Sequence, residues 1–180
     1  PANYGDIGDN AVDLSYNTII GSNYGATGDN SLAVNLGTYA SGTSSTAMGF
    51  GTIASGTGSL ATGNASEALG NYSTSMGNST ASGDYSVAIG VSTSALGAGS
   101  SAMGFITEAI GDYSTSLGYE TQAVGLESIA MGFGTIASGN TSTAMGSSTI
   151  ASGNTSTAMG GYTIAPSGYE AVLGSFNTIY

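Results

Sequence analysis

The chain has 180 residues, enough for one ordinary domain, with 31 glycines, no Lys, Arg, His or Cys, and a formal charge of −11. Without cations it cannot release counterions from phosphate, which excludes nucleic acid as a partner and argues against anionic lipid headgroups. Missing Cys and His rule out disulfides, Ser-His triads and Cys/His zinc sites, and missing Lys rules out Schiff-base chemistry.

No apolar run approaches the roughly 20 residues of a membrane-spanning helix. No basic-then-apolar leader opens the chain, which starts at Pro1, so it reads as a fragment or a processed product. The absence of Lys and Arg leaves trypsin nothing to cut and suits an extracellular setting.

Residues 1–27 are the least regular and read as an N-terminal cap or first coils. The stretch GDIGD, with Asp6 and Asp9, reads as an acidic turn, because its spacing fits no calcium loop. LSYNTII at 14–20 resembles GSFNTIY at 174–180, as related caps or neighbours in a longer array would. Uncovered coil ends are unpaired sheet edges, so end-to-end stacking into a filament is a further reading.

Residues 28–180 form the repetitive part. Asn35 stands where a glycine is expected and tolerates left-handed backbone better than most residues. From Gly42 to Gly160 glycine recurs at every seventh position, with one six-residue step between Gly77 and Gly83 that marks a deletion, and Gly160 to Gly174 is two more sevens with Pro166 and Gly168 displaced inside it. The period is clearest in FGTIASGNTSTAMG and SSTIASGNTSTAMG at 133–160, two copies of a 14-residue unit differing only in their first two residues. A composition this poor in large apolar residues would otherwise point to disorder, but a disordered chain has no reason to keep glycine in register.

Each half-unit is a short alternating run bounded by glycine turns, the pattern of a strand. Glycine every seventh residue would cost a helix about 1 kcal/mol at each occurrence. Two strands per unit make a two-sided coil, and stacked coils make an all-β, parallel β-solenoid.

The inward face follows from the charges. Counting back from glycine, positions −4 and −2 share one face and −3 and −1 the other. The first set is Ser (Ser45, Ser59, Ser142) or Thr (Thr52, Thr107, Thr149) with Ala; the second includes Glu67, Glu108 and Gln122. An unpaired carboxylate inside a narrow coil costs several kcal/mol, so Ser/Thr-x-Ala lines the interior. The interior hydroxyls are then expected to hydrogen-bond to backbone.

All the methionines fall in one outward column, the −1 position of the first half: Met48, Met76, Met103, Met131, Met145 and Met159, joined by Ile89 and Leu117. Such a stripe exceeds the apolar patch monomers tolerate, which predicts that the stripes of neighbouring chains pack together. Phe50, Phe105, Tyr119 and Phe133 follow first-half glycines, while Tyr72, Tyr85 and Tyr113 sit in G-[DN]-Y-S turns. Corner packing explains these rings better than a docking strip, although the first four remain candidate ligand-facing aromatics. The acids, among them Asp84, Glu108, Asp112, Glu120 and Glu127, read as solvated groups that keep the roll soluble. No catalytic or metal site is expected, no cofactor, and no enzyme activity.

SVAIG at 86–90, with relatives such as SSAMG at 100–104, resembles the head repeat of YadA-like trimeric autotransporter adhesins over roughly residues 28–174. The resemblance implies a left-handed parallel β-roll, an intertwined or side-by-side homotrimer, and Val87/Ile89-type positions facing the trimer axis. It also implies an extracellular, cell-surface structural or adhesive head that binds a host protein, glycan or matrix. The chain departs from the family in its lack of basic residues, and it shows no neck, heptad stalk or membrane anchor. Related repeats occur in phage tail fibres, so a virion-surface shaft is a second reading. A third, ice binding through a threonine ladder, conflicts with threonines that point inward.

Overall fold

A computed structural model describes residues 7–16 and 24–176. The described residues form strands and turns with no helix, and the chain divides into two compact units, residues 1–90 and 91–180. Asp6 and the ends of the two similar stretches, 17–20 and 177–180, lie outside the described residues.

In the first unit, the strands Val12–Tyr16, Leu32–Leu36, Thr46–Phe50 and Leu60–Asn64 form one parallel ladder. A second ladder joins the two-residue strands Gly25–Ala26, Tyr39–Ala40, Ile53–Ala54 and Glu67–Ala68. Thr46 pairs with Leu60 and Ile53 with Glu67, each fourteen residues on, whereas Val12 pairs with Leu32, so the first coil is longer.

The second unit repeats the plan. Its long strands run from Ser101–Phe105 to Ala171–Ser175 and its short strands from Glu108–Ala109 to Ile164–Ala165, all in parallel fourteen-residue register. Both units are thus the parallel β-solenoid that the period predicts.

The interior is as thin as the sequence demands. In the first unit the alanines from Ala26 to Ala68 form the core, and in the second Ala123 to Ala165 with Val172. Beside them lie the serine and threonine columns, with Ser45, Thr52, Ser142 and Thr149 all at 0% exposure.

The expectation that these hydroxyls bond to backbone holds for Thr38, which donates to the Asn35 carbonyl, and for Ser66, which donates to those of Thr62 and Gly77, but fails in most coils. Among the described residues, Ser45 and Ser142 Oγ and Thr52 and Thr149 Oγ1 have no hydrogen-bond partner. The nearby backbone is already used between coils: Leu32 N–H donates to the Ser45 carbonyl and Tyr39 N–H to that of Thr52. Across the interior stands alanine, which offers nothing polar. Where serine replaces that alanine the hydroxyls do pair. Ser116 Oγ lies 2.7 Å from Thr121 Oγ1, and Ser75 Oγ lies 2.8 Å from Ser79 Oγ.

The two glycine columns are required by close approach. A Cβ on Gly146, at φ 119°, would overlap the carbonyl oxygen of Gly160, and a Cβ on Gly139 that of Gly153. Asn35, at φ 85°, fills the glycine place in its coil with a left-handed backbone, as expected.

Each regular turn also holds a left-handed residue that need not be glycine, such as Tyr72, Ile106, Glu127 or Thr155, with φ between 53° and 57°. Such a residue costs roughly 1–2 kcal/mol against right-handed backbone. A hydrogen bond to the preceding coil offsets part of this: Tyr72 N–H donates to the Thr57 carbonyl, and Thr155 N–H to that of Asn140.

The six-residue step is absorbed locally. The strand Thr74–Ala81 runs straight through the place where other coils turn, and Glu67 pairs with Thr80, thirteen residues on. Ser79 takes the inward place there and donates to the Ala88 carbonyl at 3.0 Å. Near the other irregularity, Ser167 replaces the turn glycine and its N–H donates to Glu170 Oε2 at 2.8 Å.

Candidate functional site

The alternation of a strand puts position −1 opposite the buried alanine, so the methionine column faces outward in both units. In the first, Met48 is 37% exposed, with Met76 half-buried and Ile89 at the column's end. In the second, Met103, Leu117, Met131, Met145, Met159 and Leu173 are successive register partners. The rest of this face in the second unit is small or β-branched (Thr115, Ile129, Thr143, Thr157), with Ile129 37% exposed beside a half-buried Met131.

The outward face of the short strands is mixed. Leu96, Ile110 and Val124 are exposed there, followed by Ser138 and Ser152. Glu108 and Gln122 point outward as the charge argument requires, and Gln122 Nε2 donates to Glu108 Oε2 at 3.0 Å.

The aromatic residues pack on one another. Phe105, Tyr119 and Phe133 form a ladder with centroids 5.2 and 5.1 Å apart and nearly parallel rings. Phe50 stands apart, because its register partner is Asn64. Tyr72 stacks on Tyr85 at 5.2 Å, and the ring of Tyr113 lies over Gly99. This is corner packing, yet the ladder's edges stay open to solvent, with Phe105 and Tyr119 both 41% exposed.

Some of the acids have a structural task that the sequence reading missed. Asp112 Oδ1 accepts the Ala98 N–H at 2.8 Å, and Asp84 Oδ1 that of Asn71 at 2.8 Å. Asn71 in turn accepts the Thr57 N–H at 3.0 Å. Where the residue after a second-half glycine is Asp or Asn, as at Asp29, Asn71, Asp84, Asp112, Asn140 and Asn154, it caps an N–H of the coil before it. The clue was the [DN] preference in that column.

The sequence reading also missed a cavity of about 350 Å³ in the second unit, lined by Ile106, Glu108, Glu120, Gln122, Gly134 and Ile136. Glu108 and Glu120 are twelve residues apart, off the fourteen-residue period, so nothing in a column-by-column reading joins them. Folding does so because the turn after one strand lies beside the start of the next.

Sequence comparison finds the YadA head domain repeat at residues 40–66, 54–80, 81–105, 109–135 and 137–163. The chain belongs to the YadA head family. A comparison with curated proteins gave no match. The YadA head repeats span coils of both units and coincide with the Ser-x-Ala-x-Gly strands. As a YadA head the chain is an adhesin-type module. The threonine ladder of the short strands is the inner wall of that module, with Thr107, Thr121 and Thr135 at 0% exposure, so it offers no surface to ice.

Proposed function

We propose that the chain is the head of a homotrimeric surface fibre, an extracellular and non-enzymatic module that adheres to a host or matrix surface. One observation carries the trimer: an outward apolar column, Met103 to Leu173 in the second unit, repeated in every coil on a chain whose own interior has no room for it. Monomers seldom keep an apolar stripe of that kind uncovered. Family membership supports the number three, since YadA-type heads are trimeric.

Adhesion rests on the rest of the surface, which offers open ring edges, hydroxyls, amides and carboxylates in regular array. Such a surface works by many weak contacts and needs no reaction centre. A shaft in a phage tail fibre would use the same assembly face, and the ring edges that the aromatic ladder leaves open support the adhesive reading. Sedimentation equilibrium tests the proposal. A species of three times the 17.4 kDa chain mass is expected, and a stable monomer would overturn it.

A further inference from the structure

We infer that the cavity between Ile106 and Ile136 is a docking site for a basic polypeptide segment, with a lysine or arginine side chain as its occupant. The lining supplies what such a side chain needs. Ile106 and Ile136 are apolar walls for an aliphatic stem, and Glu108 and Glu120 carry the negative charge for its head. Gly134 leaves room beside them, and Gln122 holds Glu108 through the 3.0 Å amide contact.

The occupant follows from charge. The chain has 11 carboxylates and not one side-chain cation, so a second copy can bring only hydroxyls, amides or further carboxylates to this cavity. Nucleic acid and anionic lipid are repelled. A basic protein segment is the macromolecular partner that complements both walls and charge.

Ile106 is the more exposed of the two apolar walls. It is β-branched, 41% exposed, and held at φ 53°, where such a side chain is a true outlier. The same turn position holds Gly51, Ala65, Gly134 and Ser148 in other coils, so the fold does not require isoleucine. Its side chain is thus free to serve as a wall of the cavity.

This names a partner class for the adhesive reading and rests on it, but the cavity belongs to one chain, so the two can fail separately. Sedimentation reports assembly, and binding of a fluorescently labelled short oligolysine, followed by anisotropy at physiological salt, reports the cavity. The double variant E108Q/E120Q is expected to lose about ten-fold in affinity, given the usual strength of two exposed ion pairs. E67Q/E127Q removes the same charge elsewhere and should change affinity by less than about two-fold. I106N relieves the backbone, keeps the fold and should still weaken binding several-fold. Equal losses in the two double variants would overturn the proposal, as would an unaffected I106N. Spermine binding as tightly as oligolysine would overturn the polypeptide as occupant.

Discussion

Ser116 and Thr121 share a hydrogen bond across the interior of their coil, Oγ to Oγ1 at 2.7 Å, and Ser116 also donates to the Thr121 carbonyl at 2.9 Å. Two coils along, the same places hold Ala144 and Thr149, and the Thr149 hydroxyl has no partner among the described residues. A buried hydroxyl without a partner costs about 1–3 kcal/mol. A144S should recreate the pair and leave the protein as stable as before or more stable by about 0.5–1.5 kcal/mol. The reverse change, S116A, should lose a similar amount. Denaturant unfolding of both variants checks this, and clear destabilisation by A144S would contradict the account of the interior.

The capping column predicts a difference between two substitutions of one residue. Asp112 accepts the Ala98 N–H through Oδ1, and asparagine does the same from Asn71, Asn140 and Asn154. D112N should therefore be nearly neutral, while D112A should cost about 1 kcal/mol through the uncapped N–H. Amide exchange at Ala98 should quicken in D112A and stay slow in D112N. Equal exchange in both variants would mean that the acid is only a solvated charge.

How much was legible follows from how many ways each position can be filled. Gly139 and Gly146 face carbonyl oxygens of the next coil, so nothing but glycine fits, and the seven-residue step shows through any background. Glu67 and Glu108 settled the inward face, because a carboxylate cannot sit in a wall of alanine. Left-handed turn residues were not legible. Tyr72, Glu127 and Thr155 share a backbone conformation but no chemistry, since what holds them is an inter-coil N–H bond that any side chain allows. The cavity stayed hidden for a related reason: it joins neighbouring columns, and a repeat shows only what recurs within one.

The glycines themselves divide into two kinds that substitution should separate. Gly146 lies at φ 119° with a backbone oxygen where a Cβ would go. G146A should destabilise by more than about 3 kcal/mol, because neither the backbone nor the neighbouring coil can yield. Gly51 lies at φ 62° with nothing within 4 Å of a built Cβ. G51N keeps the left-handed turn and should stay within about 0.5 kcal/mol of the parent. Thermal unfolding ranks the pair, and comparable losses would mean that the turns, not the coil contacts, set the glycine pattern.

The assembly face can be tested against the opposite one. Met131 and Met145 are register partners on the outward side of the long strands, and burying a methionine is worth about 1.5–3 kcal/mol. Replacing both with glutamate removes that gain and sets like charges against one another around a shared axis. Each 1.4 kcal/mol is a factor of about ten in concentration, so M131E/M145E should raise the dissociation midpoint at least roughly a hundred-fold. Circular dichroism should keep its β signature, since neither side chain lies in the interior. S152E puts a charge on the exposed side of the short strands and should leave the mass unchanged. If S152E dissociates the protein and M131E/M145E does not, the chains meet through the other face, and the methionines are left to meet a ligand instead.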